Sequence, residues 1–277
     1  MKVITALKSI FIATFVALIG LGSSASFAQE ESILVEIQKR GVLKVGLSTF
    51  VPWAMRDKDG NLIGFEVDVA TQLAEDMGVE IEFVPTQWSG IIPALIAKKF
   101  DVIIGGMSIT PQRNLTVNFT RPYANSGQQM IAHVDLATDT MTLEDFNSPN
   151  IVIACRRGAT PCTTSIELFP QAEIRRFDDD AQAFQEVVNG NATAAMSSTP
   201  TPAFWVERHS DKLFLPLNGE LVTKGNEAMA LRKGDPDALN FFSNWILLRE
   251  ADGWLQERHD YWFKSQAGWK DMVSIEQ

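Results

Sequence analysis

The chain has 277 residues, 24 Lys and Arg against 34 Asp and Glu, and a net charge of −10. That acidity argues against nucleic acid or anionic lipid as a partner. The length suits one large α/β domain or two modest lobes.

Residues 1–28 read as a secretory signal peptide. Lys2 and Lys8 precede an apolar run from Ile10 to Leu21, and Ser26, Phe27 and Ala28 form a small-x-small cleavage pattern before Gln29. The run is short for a bilayer span, and no Cys lies near the cleavage point to carry a lipid. A retained anchor is the alternative. Nothing downstream reads as a transmembrane run, so the expectation is a soluble, exported protein, cleaved after Ala28.

Residues 33–39 have helical spacing and lead to Gly41, and 43–47 form a first apolar strand. The following loop, 48–53, carries Phe50 and Trp53 near the strand's carboxyl end, where open α/β sheets bind ligands. Phe50 reads as a stacking surface for a ligand or as a core residue. Residues 57–61 are turn chemistry between two hairpin strands, and 64–78 a helix stopped by Gly78. Glu66 and Asp68 fit first-turn acids favoured by the helix dipole. A strand over 80–85 and a loop and helix over 88–99 follow.

The most informative stretch is 100–123. Val102 to Ile104 is a buried-strand pattern ending in Gly105 and Gly106, and Thr110-Pro111 is a helix start. This strand, glycine turn and capped helix converge as an anion site, to which Arg113 can add a planar, bidentate guanidinium. The alternative is a surface unit whose Arg pairs with a neighbouring acid.

Beyond it, 128–133 reads as a crossover strand, 142–146 as a short helix and 151–155 as a strand. Thr160-Pro161 after Gly158 repeats the Thr110-Pro111 pattern, and Arg156 and Arg157 either reach the ligand or, as the favoured reading, are solvated partners of Asp178 to Asp180. Cys155 and Cys162, in an exported chain, invite a disulfide closing a short loop, with two free thiols as the alternative. Their spacing does not fit a C-x-x-C redox motif. A helix over 184–189, a small-residue strand over 192–196, a returning strand over 221–231 and helices over 237–248 and 251–262 complete the chain. Trp245, Trp254, Trp262 and Trp269 read as packing residues of those last helices. His133, His209 and His259 lack any partner motif, and no metal or cofactor signature is present.

The run from Gly64 to Met77, with Trp88 to Leu95, Asp101 to Arg113 and Phe119 to Tyr123, resembles the periplasmic amino-acid-binding proteins of ABC importers, solute-binding protein family 3, over essentially the whole mature chain. The resemblance implies an α/β, two-lobed periplasmic-binding-protein fold of type II, each lobe a mixed sheet flanked by helices, joined by two hinge strands. It divides the chain into a signal peptide at 1–28, a first lobe at 29–126 with a return segment at 223–277, and a second lobe at 127–222. It makes Arg113 the ligand-carboxylate partner and adds Gly106, Ser108, Gly158, Ala159 and Thr160 as polar contacts, with Phe50 and Trp88 as walls. One departure stands out: Ser198 occupies a position where the family places an Asp for the ligand's ammonium, and Leu47 stands where relatives often carry another acid. Either another acid serves from an unforeseen position, or the ligand's cation is diffuse, methylated or absent and rests against Phe50 and Trp88.

The resulting expectation is a monomeric periplasmic protein that captures an amino-acid-like carboxylated solute by cleft closure and delivers it to ABC permease subunits. The alternatives are an enzyme on the same scaffold, of the cyclohexadienyl dehydratase kind, and a ligand-sensing subunit. Residues 196–202 hold no carboxylate or His for acid–base work.

Overall fold

The computed structural model describes residues 31–265 and 268–273. The leader at 1–28 and its cleavage point lie outside the described residues. Where the chain becomes describable, Ser32 caps helix α1 (Ile33–Arg40) by accepting from Leu34 N, and Gly41 ends it at φ +71°.

One continuous sheet organises the rest. Strand β1 (Val42–Leu47) lies between β4 (Glu80–Pro85) and β5 (Val102–Ile103), parallel to both. β5 meets β11 (Thr223–Leu231) antiparallel, and β11 pairs with the first two thirds of the sixteen-residue β6 (Asn118–His133). From Gln128 onward β6 changes partner to β9 (Ala194–Ser198), which is followed by β7 (Val152–Arg156) and β8 (Glu173–Phe177). A short β10 (Leu213–Phe214) pairs with the end of β6. Two parallel halves are therefore joined only through β6 and β11 within the sheet. The hairpin β2 (Met55–Arg56) and β3 (Leu62–Ile63) pairs around the expected turn at 57–61.

Helices α2 (Phe65–Met77) and α3 (Ile91–Ile96) accompany the first half, and α5 (Thr160–Leu168), α6 (Asp180–Val188) and α7 (Thr201–Arg208) the second. The four-residue α4 (Pro111–Asn114) carries Arg113. After β11 the chain returns to the first half as α8 (Pro236–Ala251) and α9 (Trp254–Asp260). Trp245 and Trp262 there donate Nε1–H to Asp76 and Asp68 of α2 at 2.7 and 2.6 Å, so each buries a large apolar body with its polar edge satisfied.

One local reading changes: residues 142–146 form a turn, because the Asp145 carboxylate accepts both the amide and the hydroxyl of Thr142. Glu66 does stand in the first turn of α2, and it is fully buried there, accepting a 2.6 Å bond from the Tyr123 hydroxyl.

Candidate ligand-binding cleft

The carboxyl ends of the strands in both halves face one another, and residues from each end meet across the gap. Thr110 caps α4 as its sequence suggests, accepting from Arg113 N at 3.1 Å. This fixes the base of Arg113, whose guanidinium donates to Ser108 O at 2.8 Å on its own half and to Gly158 O at 3.0 Å on the other. Among the described residues no carboxylate pairs with it directly. Burial, helped by the nearby charge of Arg156 and opposed by Glu227, draws its pKa down to about 10.

Ser108, Arg113, Gly158, Thr160 and Ser198 line a cavity of about 700 Å³. Ser108 Oγ and Thr160 Oγ1 lie 3.3 Å apart across it. Gly158 sits at φ +78°, and a Cβ there would lie 3.4 Å from Ser89 Cα, so this turn lets the two halves touch. Gly106 stands just behind: its φ is +62°, an added Cβ would meet the Phe50 ring at 2.8 Å, and its N–H is already donated to the Tyr123 hydroxyl at 3.3 Å. Thr160 does not cap its helix. Ala159 holds the N-cap position, packed with Trp88 in a buried cluster, and Thr160 is the first helical residue, which turns its hydroxyl toward Ser108.

Phe50 and Trp88 do form walls, but of a slot that the chain itself fills. The Arg156 guanidinium lies 4.7 Å from the Phe50 ring centroid and 4.8 Å from that of Trp88. The residue is only 4% exposed, and its Nε is 3.2 Å from Asp180 Oδ2. Both arginines pair within Asp178 to Asp180 as the sequence suggests, but only Arg157 does so in solvent, meeting Asp178 at 3.5 Å; the Arg156–Asp180 pair is buried. On the far side of this pair, Phe50, Met55, Asp180, Thr201 and Trp205 line a second cavity of about 360 Å³.

Glu227 is a residue that sequence reasoning missed. It lies at a register irregularity between β11 and β6, a place where a bulge re-aims side chains. It is 1% exposed and accepts from Ser126 Oγ at 2.6 Å and Ser108 Oγ at 3.2 Å, both hydroxyls of cavity-lining residues. Burial raises its pKa to about 7, against the opposing effect of those hydroxyls. The signal was a charged residue one step before the apolar run Ala228 to Leu231. An analogous signal, an Arg ending an apolar strand, marked Arg156. Cys155 and Cys162 are joined in a disulfide, Cα atoms 5.0 Å apart, tying the end of β7 to the first turn of α5.

Residues 43–265 match the model for bacterial extracellular solute-binding proteins, family 3. An L-cystine-binding protein of Escherichia coli is 32% identical over 90% of this chain and 92% of its own. A cyclohexadienyl dehydratase of Pseudomonas aeruginosa is 26% identical over the same shares. Among solved structures, an ancestral amino-acid-binding protein, a precursor of cyclohexadienyl dehydratase, is 40% identical with a TM-score of 0.77, over 84% of this chain and all of that one. A binding component of an ABC transporter from Wolinella succinogenes, complexed with lysine, is 35% identical with a TM-score of 0.78, over 83% and 99%.

Proposed function

The chain belongs to the bacterial extracellular solute-binding proteins of family 3, with their two-lobed type II fold, and from that membership we propose that it captures an amino acid or amino-acid-like carboxylated solute. On this reading the protein is exported to the periplasm after cleavage behind Ala28, works as a monomer and hands its solute to an ABC permease. The first lobe is 29–126 with 223–277, the second 127–222, and β6 and β11 are the hinges.

The observation that carries the reading is Arg113, a half-buried cation that lies over the Trp88 ring, donates to two carbonyls, one from each half, and meets no carboxylate among the described residues, beside a cavity of small-solute size. A cation partly withdrawn from water without a counter-ion is costly, and an incoming carboxylate removes that cost. Because the cavity is lined from both halves, by Ser108 and Arg113 on one and Gly158 and Thr160 on the other, a solute that fills it meets both sets of groups only when the halves are together, so ligand shifts an open–closed equilibrium. Solutes named for relatives, L-cystine and lysine, carry the α-carboxylate this site requires.

The dehydratase relative makes an enzyme the rival. A general acid must reach its substrate, yet Glu227, the perturbed acid beside the cavity, is screened by the Ser108 and Ser126 hydroxyls. Binding without chemistry fits that geometry better. Arg113→Met decides the carboxylate assignment: it should leave the fold intact and cost ~2–5 kcal/mol of binding, more than tenfold in affinity. Unchanged affinity by calorimetry in a folded variant would remove it.

A further inference from the structure

Ser198 brings no charge to the cavity around Arg113, yet a carboxylate stands just behind the cavity wall. Glu227 Oε1 accepts from Ser126 Oγ at 2.6 Å and from Ser108 Oγ at 3.2 Å, and both serines line the cavity. Each hydroxyl has a single hydrogen, and here it is committed to the carboxylate. What each serine oxygen can offer a solute is therefore lone pairs. The charge of Glu227 polarises both O–H bonds and makes these oxygens stronger acceptors.

The surroundings of the two serines lack donors. Ser198 lies opposite Gln128 in the β6–β9 register, and Ser126 is two residues from Gln128 on the same face of β6. Gln128 Oε1 is buried without a hydrogen-bond partner, and so is Glu227 Oε2. A buried acceptor left without a donor is costly. Gly225, opposite Ser126 on β11, keeps the cluster open: a Cβ there would lie 3.1 Å from Glu227 Oε1, 3.5 Å from Ser126 Oγ and 3.6 Å from Ser108 Oγ. Three oxygens thus converge on a space that a side chain at 225 would fill. An ammonium, with three N–H donors and no acceptor, is the group that suits them.

Ser108 also ties this cluster to Arg113. Its carbonyl accepts from the guanidinium at 2.8 Å while its hydroxyl donates to Glu227, so one residue links a cation and an anion of the site. An α-amino acid carries its carboxylate and its ammonium on a single carbon and presents the complementary charges side by side.

We propose that Glu227 is the positioning residue of an α-ammonium subsite formed by Ser108, Ser126 and Gln128, and that it supplies through the two serines the negative charge absent at Ser198. The inference rests on Arg113 taking the solute's carboxylate, and it narrows the solute to one with a free ammonium beside that carboxylate. Only an ionised Glu227 serves, so binding is linked to its titration. Arg113 of α4, Glu66 of α2 and Tyr123 of β6 sense its charge, and Lys224 and Glu167 are the other charged residues on the cavity lining. Burial raises the Glu227 carboxyl to about 7. Below that value an ammonium must expel its proton, so affinity for α-amino acids rises with pH from about 5.5 and levels off near about 8.

The test is calorimetry on the mature protein with the proteinogenic L-amino acids and L-cystine, each paired with its counterpart lacking the α-amino group. For L-lysine that counterpart is 6-aminohexanoate, and for L-cystine it is 3,3′-dithiodipropionate. Wild type should bind at least one amino acid at least tenfold more tightly than its counterpart, and at least fivefold more tightly at about pH 8 than at about pH 5.5. Glu227→Gln keeps an acceptor for both serines and removes the charge. It should lower affinity for that amino acid at least tenfold, change the counterpart's less than threefold and abolish the pH dependence, and adding Ser198→Asp should restore the preference. Gly225→Ala, which crowds the same oxygens and leaves Glu227 in place, should give the same selective loss. A wild type that binds no amino acid of the panel, binds the counterpart equally well, or prefers the amino acid to the same extent at every pH overturns the proposal without any variant. Equal losses for both members in Glu227→Gln, or none, also overturn it, since a merely structural role predicts that. Arg113→Met keeps the two readings apart. Loss of all binding there, with no ammonium preference in wild type, defeats the Glu227 assignment alone. Unchanged binding there defeats the carboxylate site beneath it.

Discussion

At the scale of residues, two acids behind the cleft set an expected pH dependence. Burial raises Glu66 to about 8, against its bond from Tyr123 and with a smaller push from the charge of Glu227, which is itself raised to about 7. Both start from a reference value of 4.5, so between about pH 4.5 and about pH 8 the folded chain holds protons that the unfolded chain has released. Stability therefore falls as pH rises through that window and levels off above it. Glu66→Gln, which keeps an acceptor for Tyr123 and removes the titration, should flatten the fall. Melting temperatures measured across the window check this, and parallel curves for the two proteins would refute the role of Glu66. The place of Glu66 in the first turn of α2 was legible, but the apolar neighbours Phe65, Val67 and Val69 leave its inward or outward direction undetermined by local pattern, and its hydroxyl partner Tyr123 lies 57 residues away. The burial of Arg156 was hidden for the same reason, since its ring neighbours Phe50 and Trp88 are distant in sequence.

At the scale of elements, the legible parts were those whose cause is local. β1, β7 and the glycine turns follow from apolar runs and punctuation, and the Thr110 cap from one hydroxyl and one proline. β6 was legible only in part: 128–133 reads as a crossover strand, but Asn125 and Ser126 before it do not announce a strand that serves two halves of a sheet. Thr160 looked like Thr110 but begins its helix one residue later in role, so that its hydroxyl is free to face Ser108. The Cys155–Cys162 bridge holds that helix start against the end of β7. Closing a loop this short removes unfolded-chain entropy equivalent to ~2.5 kcal/mol. Replacing both Cys by Ser should lower unfolding free energy by about 2 kcal/mol in denaturant titrations while preserving the fold. It should also weaken solute binding, because Gly158 and Thr160 lie inside the loop. Equal stability with and without the bridge would mean that β7 and α5 alone fix this corner.

At the scale of the whole molecule, the family motifs made the two-lobed plan legible, whereas two contacts that hold the lobes together away from Arg113 were not, because each joins a side chain to backbone more than a hundred residues away. Trp53 Nε1 donates to Thr199 O at 3.1 Å, and Thr201 Oγ1 to Val51 O at 2.6 Å. Neither bond touches the cavity of about 700 Å³ around Arg113, yet both belong to the state in which the halves are shut. Separation about β6 and β11 returns these groups to water, so each bond contributes to closure its net value, ~1 kcal/mol. Thr201→Ala should therefore shift the closure equilibrium toward open by about fivefold and weaken the affinity of any bound solute by a similar factor. Small-angle scattering supplies the second readout: saturating solute should shrink the radius of gyration of wild type, and Thr201→Ala should need proportionally more solute to reach the same compact value. Identical titrations for the two proteins would place the closure energy elsewhere, in Arg113 and Gly158 alone, and would make the solute the main bond between the lobes.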